Sequence, residues 1–136
     1  MNELKDRVAV VTGAASGIGY AMAERFAAEG MKLAIADIHQ PSLDEAAAKL
    51  RSSGATVFAE RVDVADAAAV EAFADRVFAE YGAAHVLCNN AGVGLTRFAW
   101  ELRKADWEWV LGVNLWSVIY AVQHFLPRMM AQADES

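Results

Sequence analysis

The sequence predicts an α/β fold, a doubly wound parallel sheet within one domain spanning residues 1–136. Three observations lead there. Short runs that are apolar throughout alternate with stretches of helical character, as strands of a parallel sheet covered on both faces do. A glycine-rich turn, Thr12-Gly13-Ala14-Ala15-Ser16-Gly17-Ile18-Gly19, joins the first run to the first helix. The second run ends on an acid, Asp37.

The elements follow in order. Val8–Val11 is strand one and Gly17–Glu29 helix one, with Gly30 at the position just past the helix end that favours glycine. Lys32–Asp37 is strand two. Ser42-Leu43-Asp44-Glu45 resembles a capping box, with Pro41 just ahead, so helix two is expected from Leu43 to about Arg51. Ser52-Ser53-Gly54 closes it, and Thr56–Val64 is strand three. Asp66 caps helix three, which runs to about Tyr81 and stops at Gly82. His85–Asn89 is strand four, Asn90 to about Ala105 a loop, and helix four starts near Asp106 and continues past Phe125. Strand–helix alternation with right-handed crossovers makes the sheet parallel.

The glycine-rich turn carries the first functional reading. A buried strand, a glycine turn and a helix start form the phosphate-binding entry of a dinucleotide-binding, Rossmann-type fold, which orders the sheet 3-2-1-4. Gly13 lets the chain turn off the strand. Gly17 leaves room for a pyrophosphate, and Gly19 lets the helix pack closely. Free N–H groups of the first helical turn and the positive end of the helix dipole then face phosphate. The spacing is G-x-x-x-G-x-G, and no Lys-Ser or Lys-Thr follows the last glycine, which excludes a P-loop. Asp37 lies roughly 20 residues beyond the turn, where a carboxylate accepts from the adenosine ribose hydroxyls. An acid there repels a 2′-phosphate, and neither Ala15 nor Ile38 supplies a cation for one. NAD is therefore expected over NADP.

Composition narrows the partners. Apolar residues make up 56% of the chain, which argues against disorder. The net charge of −6 argues against nucleic acid or an anionic membrane as a partner. Cys88 is the one cysteine, so no disulfide forms within the chain and a reducing compartment fits. The first apolar run is too short for a signal peptide or membrane span, and a cytoplasmic protein is expected. The three histidines and Cys88 have no metal-ligand spacing, so no metal is assigned.

Four motifs in order now resemble one family. TGAASGIG at 12–19, Asp63-Val64 after strand three, Asn89-Asn90-Ala91-Gly92 after strand four, and Asn114 within Val113-Asn114-Leu115 on helix four match the N-terminal half of a short-chain dehydrogenase/reductase. The resemblance implies a role for each. Ser16 and Ile18 would sit at the pyrophosphate and nicotinamide end of the turn. The Asp63 carboxylate would accept from the adenine amino group, and the Val64 amide would donate to the ring. Asn90, Ala91 and Gly92 would line the floor under the nicotinamide ribose, with Asn90 also tying strand four to its neighbours. Asn114 would hold a water in a proton relay. The implied parent activity is hydride transfer between NAD(H) and an alcohol or carbonyl substrate. The alternative is a non-catalytic nucleotide-binding or oligomerisation module.

The sequence departs from that family in its catalytic part. The family uses a serine after strand five and a Tyr-x-x-x-Lys on the next helix. Here Tyr20, Tyr81 and Tyr120 are followed four positions on by Glu24, His85 and His124. Without a positioned acid–base group, turnover loses a factor of roughly 10²–10⁴. This polypeptide alone is expected not to oxidise an alcohol.

Helix four is apolar on several faces. Trp107, Leu111, Asn114, Leu115, Val118, Val122 and Phe125 recur at helical spacing and are expected to form one buried stripe. Strand four would be an open edge, and helix four would expose apolar surface. A homo-oligomer through helix four, strand four or both is the expected consequence.

Overall fold

The computed structural model describes residues 3–132. Its sheet has the order β3-β2-β1-β4, all parallel, with β1 at Val8–Thr12, β2 at Lys32–Asp37, β3 at Val57–Arg61 and β4 at Val86–Cys88. Between them run α1 (Gly17–Ala28), α2 (Gln40–Ser52) and α3 (Ala67–Tyr81). After β4 come a 3-10 turn at Ala99–Glu101, α4 (Lys104–Leu111), a π-helical turn (Gly112–Trp116) and α5 (Ser117–Ala131). The order 3-2-1-4 is as the sequence predicts.

Alternation along the strands sorts the core into two layers. Ala9, Val11, Leu33 and Ile35 face α1 and α2, meeting Ala23, Leu43 and Leu50. Val8, Val10, Ala34 and Ala36 face the other way, against Val70, Phe73 and Val77 of α3 and Phe125 of α5. Every residue of β1 is buried, which is why it reads as an unbroken apolar run and not as an alternating one. Tyr81 spans from α3 to the sheet, its hydroxyl donating to the Leu33 carbonyl at 2.8 Å. Burial of that phenol pushes its pKa up to about 12.

Register sets the functional edge. Thr12 pairs with Ala36 and Asp37 with Arg61, while Val11 pairs with Cys88. The carboxyl ends of the strands therefore finish nearly level, and the loops after β1, β2, β3 and β4 open on one side. β1 sits between β2 and β4, where the strand order reverses, and ligands of such sheets bind in the crevice at that point.

Helix ends show which local signals dominate. Asp66 caps α3 as expected, its Oδ1 accepting from Ala68 N at 3.0 Å and Ala69 N at 3.3 Å. Gly82 ends α3 with φ +73°, and Gly30 follows α1 with φ +80°. At α2 the expectation fails. The helix begins at Gln40, Ser42 lies inside its first turn, and the cap is His39, whose Nδ1 accepts from Ser42 N at 3.3 Å. Proline is tolerated in a first turn because its missing N–H would have no intrahelical partner there, so Pro41 falls inside the helix. Strand three is also shorter than expected. After Arg61 only Val62 N continues toward β2, donating to the Asp37 carbonyl at 3.0 Å, and Asp63-Val64 then leave the sheet.

The expected buried stripe on helix four holds at Phe125 and fails along most of its length. Trp107, Leu111, Leu115 and Val122 are exposed, as is Asn114, while Ser117, Ala121 and Phe125 are buried. Two causes combine. The π-helical turn adds to the turn length and shifts the faces on either side out of register. The face against α3 is then filled by small residues, Ser117 and Ala121, which let the two helices approach. Arg128 fixes the far end, bonding Asp75 at 2.8 Å and lying 4.3 Å over the Phe78 ring. The helical run 104–131 is long and apolar enough to cross a membrane by length and composition alone. Here it is widened by the π turn, carries Pro127, and its α5 part lies along α3.

Candidate functional site

A cleft of about 580 Å³ opens at the carboxyl edge of the sheet. Gly13 and Ser16 line it from the turn after β1, Asp37 and Ile38 from the end of β2, and Val62 to Ala65 from the loop after β3. Asn90 to Val93 close it after β4, and Trp109 and Val113 line it from α4 and the π turn. That volume suits a small ligand or cofactor fragment. Gly17, Ile18 and Gly19 are not among its lining residues, and Ile18 is 75% exposed beside it.

The turn after β1 is held from two sides. Ala14 N donates to the Ala36 carbonyl at 3.2 Å and Ala15 N to Asp37 Oδ2 at 3.1 Å. Asp37 Oδ1 accepts from His39 N at 3.1 Å, so both carboxylate oxygens are oriented by backbone donors. Ser16 then starts α1 in an extended conformation, φ −157° and ψ 171°, with no side-chain hydrogen bond to the helix end. The first turn of α1 keeps its donors uncapped by any side chain, which leaves them for an anion.

Of the three glycines, Gly19 departs from the sequence reading, which packs its helix on the sheet. Gly13 has φ +64° and Gly17 φ +57°, conformations that L side chains rarely adopt. Nothing lies within 4 Å of where a Gly17 Cβ would point, so Gly17 keeps that space clear. Gly19 makes its close approach to the turn itself and to the β4 loop, not to a strand. A Cβ there would overlap the Gly13 carbonyl and lie 2.5 Å from Asn90 Nδ2.

Asn90 and Thr12 join the two central loops. Asn90 Nδ2 donates to the Thr12 carbonyl at 3.1 Å and the Gly13 carbonyl at 3.2 Å. The buried Thr12 hydroxyl accepts from Asn90 N and Ala91 N, each at 3.1 Å. Thr12 was not singled out from the sequence, although it opens the TGAASGIG motif. Asp63 Oδ1 accepts from Ala65 N at 3.0 Å, which turns the chain toward α3 and sets its carboxylate in the cleft wall. Cys88, half-buried in β4, has its thiol pKa pushed up by burial.

Asn114 sits in the π turn and bonds Val93 through both ends of its amide. Its Oδ1 accepts from Val93 N at 2.8 Å and its Nδ2 donates to the Val93 carbonyl at 2.7 Å. The side chain thus anchors the loop after β4. Asn114→Ala removes both bonds. It should cost about 1 kcal/mol and speed hydrogen exchange at the Val93 amide, read by NMR. Unchanged exchange there would mean that other contacts hold the loop.

Comparison with known proteins places this geometry. A family model described as short chain dehydrogenase matches residues 7–135. The CLA biosynthesis dehydrogenase/reductase of Lactiplantibacillus plantarum is 39% identical over 132 residues, covering 97% of this chain and 46% of that protein. Among solved structures, a short chain dehydrogenase/reductase from Burkholderia phymatum in complex with NAD superposes with a TM-score of 0.95 at 45% identity. It covers 97% of this chain and 47% of that one. The L-sorbose reductase of Gluconobacter frateurii, complexed with NADPH and L-sorbose, superposes with a TM-score of 0.91 at 33% identity, covering 95% and 49%. The chain spans about half the length of curated relatives such as the Lactiplantibacillus plantarum protein.

Proposed function

This chain belongs to the short chain dehydrogenase family, and from that premise we propose that its cleft holds the adenosine diphosphate end of NAD. One observation carries the reading. The uncapped start of α1 and the oriented Asp37 carboxylate flank the same cleft, with donors for phosphate on one side and an acceptor for ribose hydroxyls on the other. Ser16, Gly17, Ile18 and Gly19 would present N–H groups to the diphosphate. Asp63 and Val64 would meet the adenine, and Asn90, Ala91 and Gly92 would floor the nicotinamide ribose. When bound, NAD would supply the hydride acceptor. The protein's part is to grip, orient and shield it.

Asp37 favours NAD over NADP, since a carboxylate there repels a 2′-phosphate. The relatives include complexes of both kinds, with NAD and with NADPH, so selectivity in this chain rests on Asp37 and the absence of a cation at Ala15 and Ile38. Calorimetric titration with NAD and NADP tests the proposal. NAD should bind, more tightly than NADP. No heat with either nucleotide would contradict it.

The parent reaction, hydride transfer between NAD(H) and an alcohol or carbonyl, is the activity we propose for a protein carrying this unit. Within these 136 residues no tyrosine is followed four positions on by a lysine, so the unit alone should bind and not turn over. A purified sample that reduces NAD with an alcohol at rates typical of dehydrogenases would contradict this. Two further surfaces favour association. Among the described residues β4 pairs only with β1, and Trp107, Leu111, Leu115 and Trp116 are exposed along one helical run. An assembly through this run, β4 or both would cover them, and light scattering that reports a monomer at micromolar concentration would count against it. A membrane role is not proposed, because α5 packs on α3 and pairs Arg128 with Asp75. The single cysteine favours a reducing, cytoplasmic setting.

A further inference from the structure

Trp109 is the one aromatic residue among those lining the cleft. Gly112 explains how it arrives there. A Cβ on Gly112 would already lie 3.4 Å from Ala65 Cβ, so the end of α4 rests against the loop after β3. Trp109 and Val113, one helical turn apart, are thereby brought to the same wall as Asp63, Val64 and Ile38. Trp109 is 47% exposed, and among the described residues no other ring contacts it, although Trp100 stacks on Phe98 and Trp116 lies tilted against Tyr120. A large flat apolar surface with no ring partner therefore borders a cleft that the Asp63 carboxylate also lines.

Resting on the reading that this cleft takes the adenosine end of a dinucleotide, we propose that Trp109 is a base-contacting residue that covers the purine with its indole. Ile38 and Val113 supply further apolar wall, and Asp63 supplies the hydrogen-bond acceptor. Contact of an indole with a purine face adds affinity for any purine nucleotide without reading its hydrogen-bonding edge. Trp109 would thus set how tightly adenine nucleotides are held, while Asp37 sets which ribose is accepted.

Calorimetric titrations of wild type, Trp109→Ala and Trp109→Phe with NAD and with AMP test this. Truncation to alanine should weaken both ligands about tenfold, and phenylalanine should recover most of the loss. The NAD preference over NADP should be the same in all three proteins. AMP should quench tryptophan fluorescence in the wild type, and the quench should shrink in Trp109→Phe, which keeps a ring in place and leaves Trp100, Trp107 and Trp116 as emitters. If the wild type binds NAD and Trp109→Ala binds it equally well, Trp109 is not a base contact and the cofactor reading stands. If the wild type binds neither ligand, both readings fall.

Discussion

Replacing Gly19 with alanine should dislocate the start of α1 and weaken NAD binding at least about tenfold. The added methyl would overlap the Gly13 carbonyl, come within 2.5 Å of Asn90 Nδ2 and lie 2.9 Å from the Gly13 carbonyl carbon. Two of these three atoms are backbone, and the third is held by hydrogen bonds to Thr12 and Gly13. No flexible side chain can yield, so the helix must move away from the turn. Forcing a methyl into such a contact costs ~1–3 kcal/mol, which for a domain of this size lowers Tm by roughly 3–10 °C. The cofactor effect follows from geometry, because the displaced amides are those that would face the diphosphate. Thermal melts and NAD titrations of the variant check both. A variant that melts and binds like the wild type would mean that helix and turn are not in contact.

Removing the Asp37 carboxylate should have the second large effect, and it should be twofold in nature. Asp37→Ala takes an acceptor from the ribose and also strips Ala15 N and His39 N of their partner. Hydrogen bonds to a charged group contribute about 1.5–3 kcal/mol each, so NAD affinity should fall by about 10–100-fold. NADP should lose less, since the repulsion of its 2′-phosphate disappears at the same time. Asp37→Asn separates the two roles. It keeps an oxygen for Ala15 N and so preserves the turn, but its amide nitrogen cannot accept the exposed His39 N bond and it lacks the negative charge. Its NAD-over-NADP ratio should drop while its melting temperature stays near that of the wild type. If Asp37→Ala leaves both nucleotides bound as before, the ribose assignment fails.

What the sequence made legible was whatever a short segment decides by itself. Asp66 caps α3 from its own side chain, and Gly30 and Gly82 stop helices through their own φ angles. The buried runs Val8–Thr12 and Lys32–Asp37 could only be interior strands, and their order with the intervening helices gave the sheet. What it hid depended on contacts distant in sequence or on choices between equal local signals. At α2, both His39 and Ser42 can cap, and the strand end at Asp37 favours the earlier one through the His39 N bond. On the last helices, large residues on several faces made Trp107, Leu111 and Leu115 read as buried, and they are exposed. The sheet and α3 selected the small residues Ser117 and Ala121, and the π turn at Gly112–Trp116 shifted the face.

The candidate site shows the same division. Motif spacing found Gly13, Asp37, Asp63 and Asn90, all of which line the cleft. It could not find that Asp37 closes on Ala15, that the Thr12 hydroxyl joins β1 to the loop after β4, or that Asn114 spends its amide on Val93. Each of these is a side chain meeting a backbone group from a distant segment. Trp109 has no motif to mark it, and only the approach of α4 to Ala65 brings it to the cleft.

The most direct measurement is an NMR titration of the isotopically labelled chain with ADP-ribose, following every backbone amide. Ser16 to Gly19 should show the largest downfield shifts, with Ala15 and His39 responding through Asp37, and the Asp37→Ala variant should need far more ligand to produce them. Amides of that turn that stay unmoved at saturating ligand, or shifts gathered on another part of the surface, would mean that the start of α1 does not hold the diphosphate.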